Sequence, residues 1–156
     1  MSEHQNAEAG QPRVVVGVDG SDQSRTALRW GHAMATATGA RLDAVIAWNY
    51  NTGYGAGYLP TELNAATEAD KVLTHAVDAV FGSDRPEGMR LAVREGQPAR
   101  VLLDESQGAR MLVVGSRGHG GFMGLLLGSV SASVAEHATC PVLVLHGDEP
   151  PIPFGS

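Results

Sequence analysis

Apolar residues form short runs that divide the chain into predicted strands. Four of these runs, at 13–18, 42–48, 111–114 and 141–146, are largely continuous and rich in β-branched residues. Such runs are typical of parallel strands that are buried on both faces of a sheet. A fifth segment, 89–94, alternates apolar and polar residues, which predicts a strand nearer the edge.

The segments between these strands show helical periodicity. Ser21 is a suitable N-cap for a first helix, and Gly39 is placed to end it. Further helices are predicted at about 60–81, 98–107 and 130–138. Strands and helices therefore alternate, and right-handed crossovers give a parallel sheet with helices on both faces. Ligands bind such folds beyond the carboxyl ends of the strands, where the strand order reverses.

A glycine-rich stretch follows the run at 111–114 and precedes the last predicted helix. Its glycines are Gly115, Gly118, Gly120, Gly121, Gly124 and Gly128. A strand, a glycine loop and a helix start together favour phosphate binding, because helix N-terminal N–H groups lack intrahelical partners. The stretch is not a Walker loop, since the only lysine is Lys71, nor the usual dinucleotide fingerprint, which follows the first strand. The alternative is a flexible linker, although the leucines at 125–127 favour burial.

Composition indicates a single globular domain. The chain has 156 residues, 43% of them apolar, and no run approaches the roughly 18 residues that span a bilayer. Its one cysteine, Cys140, excludes an internal disulfide, and its net charge of −6 argues against general nucleic-acid binding. The polar N-terminus lacks a signal-peptide pattern. We therefore expect a cytoplasmic protein without membrane or nucleic-acid partners, with a disordered lead at 1–12, one domain at 13–146 and a flexible tail at 147–156.

The candidate chemistry lies near the predicted crevice. Asp19, after the first strand, could accept a hydrogen bond from a ribose hydroxyl or hold magnesium on phosphates. The alternative is that it closes an Asx-turn or caps the helix, since Asp-Gly-Ser is good turn chemistry. Arg117 and His119 either contact phosphate or are solvated. No triad order, carboxylate pair or histidine spacing defines a catalytic or metal site. The loop at 50–60 holds all three tyrosines and is either a ligand or partner contact or a surface excursion.

The glycine stretch matches the pattern Gly-x2-Gly-x9-Gly-Ser/Thr without a gap. Its fixed positions are Gly115, Gly118, Gly128 and Ser129. With Asp19 after the first strand and the closing strand after Cys140, the chain resembles the universal stress protein family over about residues 12–146. The resemblance implies a Rossmann-like, adenine nucleotide alpha hydrolase-like domain with five parallel strands in the order 3-2-1-4-5. Members with this signature tend to bind ATP.

The resemblance also implies roles for particular positions. Asp19 would contact ribose, Val114 would pack on the base, and Gly17, Val18 and Ala47 would border adenine and ribose. The phosphates would be held by Gly115, Gly118, Gly128, Ser129, Val130 and Ser131. Mg²⁺ or Mn²⁺ would bridge phosphate oxygens, and a homodimer would form through the edge strand that starts at Pro141 and ends at His146. Arg117 would add a guanidinium, a role that follows from its chemistry and not from the resemblance.

The leading hypothesis is an ATP-binding stress-response protein in which nucleotide is a bound ligand or a regulatory signal. One alternative is a slow ATP-hydrolysing or adenylyl-processing enzyme, for which Arg117 and His119 are the only candidate residues. Hydrolysis would be slow because the chain has no positioned base and no Walker lysine. Another alternative is a dimeric scaffold that ignores nucleotide, against which the intact signature argues. The sequence leaves ATP, ADP, AMP and cyclic AMP open.

Overall fold

The computed structural model describes residues 10–49, 62–117, 127–147 and 149–151. Strands and helices alternate along the chain as β1 (Arg13–Gly17), α1 (Asp22–Thr38), β2 (Arg41–Trp48), α2 (Glu62–Phe81), β3 (Arg90–Glu95), α3 (Pro98–Glu105), β4 (Met111–Gly115), α4 (Ser129–His137) and β5 (Val142–Leu145). These are the predicted elements, with small differences at their ends. The tyrosine-rich loop at 50–60 and the glycine-loop residues 118–126 lie outside the described residues.

The strands form one parallel sheet in the order β3-β2-β1-β4-β5. In its centre Val14 is paired with Met111 of β4, and Gly17 with Val45 of β2. The predicted order 3-2-1-4-5 is confirmed. The strand order therefore reverses between β1 and β4, and the two segments that carry the candidate chemistry leave the sheet side by side.

An apolar core on each face of the sheet explains the continuous strand runs. Val14 and Val16 of β1 belong to the core beneath α1 and α2, whereas Val15 belongs to the core beneath α3 and α4. All three valines have no exposed surface. A strand that is buried on both faces loses the alternation of polar and apolar residues. The edge strand β3 is less buried: Arg90, Arg94 and Glu95 are exposed, and the three apolar residues between them are half-buried.

Helix α1 packs closely on β1 because it presents small residues to the sheet. A Cβ added at Gly31 would lie 2.3 Å from Cγ2 of Val16. The helix begins with Ser21, whose hydroxyl accepts a hydrogen bond from the N–H of Ser24 at 3.2 Å. It ends at Gly39, which has a left-handed φ of 67°. Both predicted ends of this helix are therefore confirmed.

Both ends of the described chain are bonded to the sheet or to a helix. The N–H of Arg41 donates to the Pro12 carbonyl at 3.0 Å, and Trp30 Nε1 donates to the Glu149 carbonyl at 2.9 Å. Residues 1–9 and 152–156 lie outside the described part, so the domain limits at 13 and 146 stay a prediction. None of the helices in the described ranges combines the length and the apolarity that crossing a membrane requires.

Candidate functional site

The carboxyl ends of β1 and β4 border a crevice between two diverging connections. After Gly17 the chain leads into α1, which packs on one face of the sheet, and after Gly115 it leads towards α4, which packs on the other. Crevices of this kind are where doubly wound parallel sheets bind ligands. Asp19 and the start of the glycine stretch therefore lie at the same edge of the sheet.

Asp19 forms a tight turn at the start of α1. Its Oδ1 accepts hydrogen bonds from the backbone N–H of Ser21 at 2.9 Å and from the Ser21 hydroxyl at 2.5 Å. This is the Asx-turn that the sequence offered as an alternative to a ligand role. The turn holds the carboxylate in place just after β1, and a hydrogen-bonding role towards a ligand is compatible with it.

The residues predicted to border base and ribose lie at the ends of the three central strands. Ala47 and Val114 pack in the core beneath α3 and α4, and a Cβ at Gly17 would lie 2.8 Å from Cδ1 of Leu102 on that same face. Val18 belongs to the opposite core, and its N–H continues the hydrogen bonding to β2. Gly17, Ala47 and Val114 thus lie on the face of the sheet that α3 and α4 cover. The side chain of Val18 packs on the opposite face.

Helix α4 begins without a capping side chain. Its N-cap is Gly128, with φ −75° and ψ 172° and no side-chain cap hydrogen bond. The N–H groups of Ser129 and Val130, in the first helical turn, have no partner within the helix. The dipole of the helix adds partial positive charge at this end. Ser129 is exposed, as is Arg117 at the other end of the glycine stretch, so the donor set suits an anion.

Ser116 ties the two ends of the glycine stretch together. Its carbonyl accepts hydrogen bonds from the Gly128 N–H at 2.6 Å and from the Ser131 hydroxyl at 2.8 Å, and its own N–H donates to Leu145 at 2.8 Å. Ser116 and Ser131 are each 2% exposed. The Ser131 hydroxyl, which the resemblance offered to phosphate, therefore donates to the protein itself. The backbone N–H of Ser131 stays a candidate donor.

Gln23 is a member of this site that sequence reasoning missed. Its side chain extends from the first turn of α1 to Ser116 and Arg117, where it makes two hydrogen bonds. No motif marks it, because a glutamine near a helix start is ordinary. The only local hint was its position four residues after Asp19.

The remaining candidates add little to a catalytic arrangement. Gly118 and His119 lie outside the described residues. Within the described ranges, histidine, cysteine, aspartate and glutamate form no group of three that could hold a metal ion. The described residues bring together an uncapped helix N-terminus, a carboxylate held in a turn and small residues at strand ends.

Comparisons with known proteins show which family the chain belongs to. The family described as "Universal stress protein family" matches residues 12–146. A universal stress protein of Mycolicibacterium smegmatis is 33% identical over 143 residues, which are 87% of this chain and 48% of the relative. The chain thus spans about half the length of the curated relatives it matches.

Solved structures of universal stress proteins share the fold. One, in complex with cAMP, is 26% identical with a TM-score of 0.66, and the match covers 86% of this chain and 97% of that one. Another, from Archaeoglobus fulgidus in complex with dAMP, is 24% identical with a TM-score of 0.61, covering 87% and 98%. The resemblance that the glycine pattern indicated is confirmed: this chain belongs to the universal stress protein family.

Proposed function

We propose that this chain binds an adenine nucleotide, ATP with Mg²⁺ or Mn²⁺, in the crevice between β1 and β4. The nucleotide would be a bound ligand or a regulatory signal in the stress response. The observation that carries the proposal is the uncapped N-terminus of α4, at Gly128, which completes a glycine signature at the same sheet edge as Asp19. A related structure that holds cAMP supports an adenine nucleotide as the ligand class.

The residues of the crevice fit the parts of such a ligand. The N–H groups of Ser129 and Val130 and the guanidinium of Arg117 would donate to phosphate oxygens. The carboxylate of Asp19, oriented by Ser21, would accept from a ribose hydroxyl. The bound cation would be held chiefly by phosphate oxygens, because Mg²⁺ is usually held by one or two carboxylates together with phosphates and water.

Gly128→Ala tests the proposed phosphate position without straining the backbone. Alanine readily adopts the φ of −75° found there, so the substitution adds a methyl group at the helix start without forcing a left-handed backbone. We expect the methyl group to displace the phosphate so that one charge-assisted hydrogen bond is lost. ATP should then bind about 10–100-fold more weakly in titration calorimetry. Gly10→Ala is the matched control, since a Cβ there meets nothing within 4 Å. Equal ATP affinities for both variants and the original chain would contradict the phosphate assignment.

The same titrations separate the alternatives. ATP, ADP, AMP and cyclic AMP are titrated in parallel with Mg²⁺, and the ATP samples are then assayed for products. Binding without product supports a ligand or signal. Steady release of ADP or AMP would favour the slow enzyme, and absence of binding to every nucleotide would favour the dimeric scaffold.

We also propose that β5 forms the interface of a homodimer. This strand lies at the edge of the sheet, with Val142, Leu143 and Val144 partly exposed. Edge strands present backbone groups that can pair with another chain. Light scattering at micromolar concentration should give twice the mass of one chain, and a mass of 16.3 kDa would contradict the proposal.

A further inference from the structure

Gln23 connects the two loops that border the crevice. Its Oε1 accepts a hydrogen bond from the backbone N–H of Arg117 at 2.8 Å, and its Nε2 donates to the Ser116 hydroxyl at 3.3 Å. A backbone N–H can only donate, so the atom facing Arg117 must be the amide oxygen. The backbone N–H of Arg117 therefore fixes the orientation of the Gln23 side-chain amide.

Gly115 leaves the space that Gln23 fills. A Cβ at Gly115 would lie 2.9 Å from the Cβ of Gln23 and 3.0 Å from its Oε1. The Cβ of Gln23 is bonded directly to the backbone of α1 and cannot rotate away. The first glycine of the signature thus allows a helix side chain to approach β4, in addition to any contact with phosphate.

Ser116 links Gln23 to the far end of the glycine stretch. Ser116 accepts from the Gly128 N–H and the Ser131 hydroxyl at 2.6 and 2.8 Å. The side-chain amide of Gln23 therefore bonds to Ser116 and Arg117 at the start of the glycine stretch. Ser116 in turn bonds to Gly128 and Ser131 at the N-terminus of α4. Gln23 also lies four residues after Asp19 in the chain, so these contacts connect the segment that follows β1 with the N-terminus of α4.

We infer that Gln23 is a positioning residue that sets the spacing between Asp19 and the phosphate-binding N–H groups of α4. The inference rests on the proposed nucleotide site. Gln23 does so through Arg117 and Ser116, which it holds at the start of the loop. A ligand that spans both sides, such as ATP, depends on this spacing, whereas a nucleoside that occupies only the base and ribose side does not.

Gln23→Met tests this role, because methionine has a similar length and makes neither hydrogen bond. We expect about tenfold weaker ATP binding in calorimetry and adenosine binding unchanged within about twofold, the order expected for losing two neutral hydrogen bonds. Amide hydrogen exchange at Arg117 should become faster in the ligand-free protein. Gln97→Met is the matched control, since Gln97 is exposed and its side chain makes no cap hydrogen bond. Gln23→Ala gives a second variant should Gln23→Met fail to fold.

The outcomes separate this inference from the proposed function. Selective loss of ATP affinity with retained adenosine affinity supports the positioning role. Equal loss for both ligands, or faster exchange at Arg117 without any change in ATP affinity, overturns it while leaving the nucleotide site in place. Failure of the unaltered chain to bind either ligand overturns the proposed function itself.

Discussion

Gly31→Ala gives a stability test in which two known effects have opposite signs. Alanine is a better helix former than glycine, which favours the variant by about 1 kcal/mol in a helix interior. However, its Cβ would lie 2.3 Å from Cγ2 of Val16 and 3.1 Å from Cδ1 of Leu42. Val16 is β-branched and fully buried in β1, so its methyl group has little freedom to move.

The collision should outweigh the gain in helix propensity. Overpacking a well-filled core costs about 1–3 kcal/mol, and a contact this short belongs at the upper end of that range. The net loss in the free energy of unfolding is then about 1–2 kcal/mol, which lowers the melting temperature by about 2–8 °C in a domain of this size. Urea unfolding should show a lower midpoint with an unchanged m-value.

The double variant Gly31→Ala/Val16→Ala is the control for this reasoning. Removing the methyl groups of Val16 makes room for the new Cβ, so the two changes together should cost less than the sum of their separate effects. Refutation would be a single variant, Gly31→Ala, that is more stable than the original chain. The gain in helix propensity would then exceed the cost of the collision, and α1 could not pack on β1 as closely as described.

Two further substitutions test the hydrogen bonds that shape the domain. Ser131→Ala should lower the melting temperature by only about 2–4 °C, because the Ser116 carbonyl keeps its bond from Gly128 and no buried acceptor is left unpaired; no shift, or a loss above 10 °C, would contradict this. Arg41→Leu should cost about 3 kcal/mol in urea unfolding, since the side chains of Arg41 and Asp43 are 8% and 14% exposed and Asp43 would lose its cation. The double variant Arg41→Leu/Asp43→Leu should be more stable than Arg41→Leu alone. A less stable double variant would contradict the description of Arg41 and Asp43 as a buried ion pair.

The sheet could be predicted because its signal is local. The valines of β1 and β4 are buried on both faces, and a run of apolar β-branched residues is the direct consequence of that environment. The helix ends at Ser21 and Gly39 were likewise readable, since capping depends on one or two residues. The strand order came from the family resemblance, and the structure confirms it.

The internal bonding of the site could not be predicted, because it depends on residues far apart in sequence. Gln23 and Arg117 are separated by 94 positions, and no periodicity or spacing links them. The same limit applies to Ser131, whose hydroxyl was offered to phosphate and instead donates to Ser116. Two roles are predicted for Asp19: the turn with Ser21 is confirmed, and the role towards a ribose hydroxyl stays a prediction. The expected cytoplasmic location stays a prediction.

The most direct test of the central claim is to ask what the purified chain carries. Native mass spectrometry of the protein gives the mass of any retained ligand, and denaturation followed by chromatography identifies it. The account predicts an adenine nucleotide, ATP above all, that is bound near one per chain and is reduced in Gly128→Ala but not in Gly10→Ala. A chain that carries no nucleotide, and that fails to bind ATP, ADP, AMP or cyclic AMP when each is titrated with Mg²⁺, would contradict it.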